Sequence, residues 1–245
     1  SVVNAGPVVT YHGSGVHRTG QFLCDGVWAG PVSRPPRSVD FLAGTSIGLR
    51  DGAVHAMAGN NPTDRLYVLR VGSGWILSNS MVFLCAYTGS SLDLNHRHYR
   101  SFFASKTFGL RVGPREIPIT GSRRVRVLLD EELLIDATGE AHFRSRPMVA
   151  GFKRFEDYDR FLLENVQEIV ANATSLDRLR SYEPIIPLST GYDSVATAAI
   201  AARVGVSEAV TMRRYATPDD PSTTLLDHPR RIADSLGLHL TEVER

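Results

Sequence analysis

The spacing of apolar positions changes once along the chain, near Phe152. Before it, short apolar runs are cut every several residues by Gly or Pro. That spacing predicts strands joined by tight turns. "DRLYVLRVGSGWILSNSMVFLCAYTG" holds two apolar runs split by Gly72-Ser73-Gly74, a hairpin signature. "VRVLL" and "LLIDA" read as further strands, and "DATGE" as a turn. "GTSIGLRDG" has glycines without a Walker lysine or a dinucleotide fingerprint, and reads as loop and hairpin.

After Phe152 the period lengthens. Phe155, Tyr158, Leu162, Ile169 and Ala173, with Phe161, Val166 and Val170 beside them, form one apolar stripe on a helix. Acidic residues cluster early in it, and Asn172 to Ser175 supply a stop. Alternation follows. "PIIPLS" reads as a strand, "VATAAIAARVG" as a helix closed by Gly205, and "EAVTMRR" as a second strand. "TTLLDHPRRIADSLG" reads as a second helix with Pro229 in its first turn, and "LHLTEVE" as a third strand. A β-α-β-α-β series predicts a parallel sheet with right-handed crossovers. The expected fold class is therefore α+β then α/β. A β-rich domain spans 1–150, a linking helix lies within 151–180, and an α/β domain opens at 181–245.

Composition narrows this little. The 245 residues are 42% hydrophobic and 22% charged, with net charge +1. That is ordinary globular composition. It gives little electrostatic reason to bind nucleic acid or an anionic membrane, so neither is an expected partner. No apolar run approaches the roughly 18 residues that a membrane span needs. No signal peptide is visible. Cys24 and Cys85 sit among apolar residues and are expected as buried free thiols, which suits a reducing, cytoplasmic setting.

The candidate chemistry lies in "PLSTGYDSVATAA". A strand entering a helix through a short polar loop leaves backbone N–H groups unpaired at the helix start. Those groups and the helix dipole attract an anion, by about 0.3–1 kcal/mol for the dipole alone, and phosphate is a natural occupant. Gly191 permits close approach or positive φ. Ser189 and Ser194 offer hydroxyls. A carboxylate at Asp193 would repel phosphate unless a divalent cation sits between them, which makes Asp193 a candidate Mg²⁺ ligand. The same residue types also suit a plain turn with an N-cap.

This stretch resembles the pyrophosphate loop of the N-type ATP pyrophosphatase (PP-loop) superfamily, usually Ser-Gly-Gly-x-Asp-Ser after the first strand. "DHPRRIADSLGLHLTEV" resembles that superfamily's next helix and third strand. The preceding β-rich stretch resembles the order of the asparagine synthetase and β-lactam synthetase branch, where an Ntn glutaminase-type domain comes first. "RVGSGWILSNSMVFLCAYTG" resembles the part of that domain just before its late strands. The resemblance implies a degenerate glutaminase-like domain followed by the start of an adenine nucleotide α-hydrolase-like domain. It implies ATP and Mg²⁺ as ligands. Ser189, Gly191, Asp193 and Ser194 would hold the β- and γ-phosphates and Mg²⁺, with Thr190 giving backbone contact. The base would lie near Val210 to Met212. The implied binding residues are thus Ser189, Thr190, Gly191, Tyr192, Asp193, Ser194, Val210 and Met212, with Asp193 the metal ligand and no catalytic residue assigned. The implied activity is AMP-forming amide-bond synthesis from a carboxylate substrate and an amine donor. The alternative is a non-catalytic scaffold or nucleotide-binding module needing a partner chain.

Three departures accompany it. Thr190 stands where the family has glycine, and a β-branched residue would be strained at positive φ. The chain begins Ser1-Val2-Val3-Asn4, without the nucleophilic cysteine, so glutamine hydrolysis is not expected. It ends at Arg245, so a second polypeptide or a missing C-terminal segment is expected to complete the sheet, and a homo-oligomer is a further expectation. Elsewhere, His96 and His98 would share a face on a strand, with no third ligand apparent for a metal. Arg123, Arg124 and Arg126 read as a solvated sheet face. Asp219 and Asp220 read as a surface turn that could reach a ligand.

Overall fold

The computed structural model describes residues 8–96, 99–105, 108–109, 112, 114–147, 149, 151–212 and 229–244. The chain divides into two compact units, Ser1–Val149 and Ala150–Arg245. The first is strand-rich and antiparallel. Its strands are β1 (His17–Thr19), β2 (Phe22–Trp28), β3 (Leu42–Arg50), β4 (Ala53–Ala58), β5 (Leu66–Val71), β6 (Gly74–Ser78), β7 (Glu116–Ile119), β8 (Arg123–Leu128), β9 (Glu131–Ile135) and β10 (Ala141–Ser145). They form a six-stranded sheet, ordered β1-β2-β3-β4-β9-β10, and a four-stranded sheet, ordered β6-β5-β8-β7.

The two sheets face each other. Ala56, Ala58, Leu133 and Ile135 of the first pack with Leu66, Val68 and Leu128 of the second. The far side of the four-stranded sheet presents Leu69, Ile117, Val125 and Val127 to Leu84, Cys85 and Phe102. Those three lie on α1 (Met81–Tyr87) and α2 (Tyr99–Ser105). Strand β5 is buried on both faces at Leu66–Leu69, which is why it reads as an unbroken apolar run.

Two expectations are corrected here. The second apolar run of the predicted hairpin does not stay a strand. It ends at Ser78, and Met81–Tyr87 is helical because the Ser80 hydroxyl caps it, accepting the Phe83 N–H at 3.1 Å. The glycines of "GTSIG" are not a loop; they lie inside β3. Gly44 pairs with Gly26 of β2, with φ of +124° and +138°. A Cβ on either would lie 2.0 Å from a carbonyl oxygen of the facing strand, so close backbone approach requires both glycines.

A buried guanidinium fastens the end of this unit. Arg146, 2% exposed, donates from Nε to the Ser38 carbonyl at 3.0 Å and from Nη1 to the Ala58 carbonyl at 3.1 Å and Asn60 Oδ1 at 2.9 Å. Nη2 donates to the Asp40 carbonyl. Asp40 accepts from Arg34 Nη1 at 2.6 Å and from the Arg37 N–H at 2.8 Å.

The second unit contains α3 (Phe155–Thr174), β11 (Ile185–Pro187), α4 (Tyr192–Arg203), β12 (Glu208–Met212), α5 (Pro229–Leu236) and β13 (His239–Val243). Its three strands form a small parallel sheet in the order β11-β12-β13. Ile186, Leu188, Ala209 and Leu240 of the sheet pack with Ala198, Ala201 and Ala233 of the helices, the alanines allowing close approach. Gly205, at φ +88°, closes α4: its N–H bonds the Ala202 carbonyl, and the Val206 N–H bonds the Ala201 carbonyl, both at 3.1 Å. Gly237 closes α5 in the same way. Arg203 and Asp159 join α4 to α3 through contacts of 2.6 and 3.0 Å. Among the described residues no helix is long and apolar enough to cross a membrane.

Candidate functional site

The loop from Leu188 to Val195 leaves the parallel sheet at its carboxyl end. The Leu188 N–H still bonds the Val210 carbonyl at 2.8 Å, and Pro187 pairs with Val210. The chain then turns away through Ser189, Thr190 and Gly191 into α4. Met212 lies at the same end of β12 and is 61% exposed. The structure therefore gathers Ser189–Ser194, Val210 and Met212 at one end of one sheet, where ligands of open parallel sheets bind.

Ser194 organises the loop. Its Oγ accepts the Ser189 N–H at 3.1 Å and lies 2.8 Å from Ser189 Oγ. The carbonyls of Ser189 and Gly191 are each 2.9 Å away, and one hydroxyl proton serves one of them at a time. The Gly191 N–H donates to Ser189 Oγ at 3.3 Å. Gly191 is the N-cap, with φ −73° and ψ 143°, and no side chain caps the helix. The N–H groups of Tyr192, Asp193 and Ser194 thus have no carbonyl within the helix to bond.

Two expectations about this backbone change. Gly191 does not take positive φ, and a Cβ there would meet only Ser189 Oγ, at 3.5 Å. Thr190 is not among the residues with positive φ, so its branched side chain is unstrained. The departure from glycine carries no conformational penalty in this loop.

Tyr192 is 95% exposed. Asp193 stands in the first turn of α4, exposed, and its carboxylate has no hydrogen-bond partner among the described residues. A free carboxylate next to unpaired N–H groups is a mixed site. The dipole favours an anion there, and Asp193 needs a cation between itself and a phosphate.

The other sequence candidates that the structure describes lie in the β-rich unit. His96 lies in a turn just before α2, not on a strand, and packs edge-on against Tyr99 with centroids 4.7 Å apart. His98, Asp219, Asp220 and Ser1 lie outside the described residues. Arg123 donates to Ser90 Oγ at 2.5 Å. Arg126 donates to Glu131 at 3.3 Å and stacks over Phe143 at 4.0 Å, while Arg124 is exposed. Cys24 and Cys85 are buried free thiols, and burial pushes the Cys85 thiol up.

Sequence reading missed the group Asp136, Glu140 and His142, whose ligand atoms lie within 4.8 Å of one another. Their spacing in "DATGEAH" was the available signal. The Asp136 carboxylate is already engaged by the Thr138 hydroxyl at 2.6 Å, by His142 at 3.1 Å and by the Glu140 and Thr138 N–H groups. The Thr138 hydroxyl, then His142, hold this carboxyl well below the usual range. It locks the β9–β10 turn.

No protein-family profile matches the chain, and no curated protein sequence matches it.

Proposed function

We propose that the chain carries the nucleotide-binding part of an ATP-dependent, AMP-forming amide-bond synthetase of the PP-loop type. The observation that carries this reading is the free Asp193 carboxylate at the N-terminus of α4, beside a hydroxyl-lined loop at the carboxyl end of a parallel sheet. Ser189, Ser194 and the N–H groups of residues 192–194 would hold phosphate, and Asp193 would hold Mg²⁺. Mg²⁺ would supply neutralisation of the charge on the leaving pyrophosphate. The chain's own part is positional: the Ser189–Ser194 hydroxyl pair fixes the loop, and Met212 offers an apolar surface for a base. The substrate carboxylate would attack the α-phosphorus of ATP and expel pyrophosphate, and an amine or ammonia would then attack the acyl-adenylate, expelling AMP and giving up a proton to form the amide. The β-rich unit fits a glutaminase-like domain without glutaminase activity. Its two buried free thiols accord with a cytoplasmic setting.

Asp193→Ala is the direct test. Its side chain bonds nothing among the described residues, so the variant folds, losing only the first-turn dipole contribution of about 0.3–1 kcal/mol, and loses pyrophosphate release from ATP in the presence of the carboxylate and amine substrates. Unchanged release in this variant would refute the reading.

One observation favours a second reading, a nucleotide-binding module without catalysis. The loop's hydroxyls bond one another and the loop carbonyls, so the loop holds its shape through its own hydrogen bonds. Mg²⁺-dependent ATP binding without pyrophosphate release, alone or with a partner chain, identifies this case.

A further inference from the structure

An open pocket of about 500 Å³ lies in the β-rich unit. That is within the usual size of small-molecule sites, about 300–1,000 Å³. Asp25, Thr45, Asp64 and Asn79 are among its lining residues. Asp25 and Thr45 are direct partners across β2 and β3, so their side chains stand together on one sheet face. Asp64 reaches the same strand, with Oδ2 accepting the Gly44 N–H next to Thr45.

Three acceptors in this cavity have no protein partner among the described residues. Asp25 uses Oδ2 to accept from Asn79 Nδ2 at 2.7 Å, leaving Oδ1. Asp64 uses Oδ2 for the Gly44 N–H and for Asn61 Nδ2 at 2.5 Å, also leaving Oδ1. Thr45 is only 8% exposed, and its hydroxyl makes no hydrogen bond among the described residues. The Thr45 side chain lines this pocket, where its hydroxyl is able to accept a hydrogen bond.

The net charge of the lining is negative. Two carboxylates border the cavity against one guanidinium, Arg65, whose Nε is spent on the Pro62 carbonyl at 3.0 Å. Phosphate and carboxylate ligands are disfavoured. A bare metal ion is far smaller than the space. A primary ammonium group carries three N–H donors and one positive charge, which matches three unpartnered acceptors of which two are anionic.

We propose that this cavity binds the primary ammonium group of a small organic amine, held by Asp25, Asp64 and Thr45. This stands independently of the nucleotide reading. The test is a titration of the full chain with n-propylammonium chloride at pH 7, followed by amide chemical shifts. Tetramethylammonium serves as a control with equal charge and no N–H. Saturable shifts centred on residues 25, 45 and 64 are expected with n-propylammonium and absent with tetramethylammonium. Thr45→Val keeps the shape of a buried side chain, and Asp25→Asn changes an exposed one. Each is expected to weaken binding about tenfold or more, as loss of a hydrogen bond to a charged group does. The proposal is overturned if n-propylammonium causes no saturable shifts, if both cations shift the same residues equally, or if both variants bind like the parent.

Discussion

Thr190 and Gly191 test how far single residues decide the loop. Both have ordinary negative φ, so the loop does not use glycine's freedom at either position. Thr190→Gly is therefore expected to cost about 0.5 kcal/mol through the unfolded chain and to leave Mg·ATP affinity unchanged. Gly191→Ala is expected to fold normally, since the added Cβ meets one hydroxyl at ordinary contact distance. Thermal melts with ATP titrations check both. A marked gain in affinity for Thr190→Gly would mean that the bound loop takes a left-handed conformation absent here. Ser194 is the contrasting residue: four loop atoms meet at its oxygen, so its side chain holds the loop's shape.

At the scale of elements, the β2–β3 pair depends most sharply on residue choice. Gly26 and Gly44 face each other where each backbone occupies the other's Cβ position. Gly26→Ala must separate the strands or abandon the pairing, at about 3 kcal/mol or more. Urea unfolding checks this, and a loss below 1 kcal/mol would contradict it. Gly44 read as loop because a glycine-rich strand and a turn look alike in sequence. The helix α1 was missed for a related reason. "MVFLCAY" is apolar on every side and rich in strand-forming residues, and the Ser80 cap and burial of Leu84 and Cys85 decide the outcome. The β11–α4–β12–α5–β13 series was legible because its apolar spacing alternates between two periods, and because Gly205 and Gly237 stand just past the helix ends.

For the whole molecule, acid is the condition that should discriminate. Burial alone would raise the Asp40 carboxyl, but hydrogen bonds from Arg34 and from the Arg37 backbone and side chain bring it below its ordinary 3.8. Asp136 is lowered as well, mainly by Thr138 and His142. The unfolded chain binds these protons more readily than the folded one. Their contribution is fully present above about pH 5 and is lost as pH falls through and below 3.8. The β-rich unit should lose stability over that range, and Asp40→Asn should flatten the dependence. Urea midpoints measured between pH 3 and 6 check it, and a parallel slope in the variant would contradict it. Arg146 was not legible in sequence, since its partners lie as far as 108 positions away. Asp193 was legible because it stands inside a short contiguous motif.

The loop before α4 is proposed to bind nucleotide phosphate with Mg²⁺. Calorimetric titration of Mg·ATP into the chain, beside Asp193→Ala, tests it most directly. Saturable heat is expected for the parent and its loss in Asp193→Ala, which stays folded and gives up only the first-turn dipole contribution of about 0.3–1 kcal/mol. Equal heats in both proteins, or no heat in the parent at millimolar ATP, would contradict it.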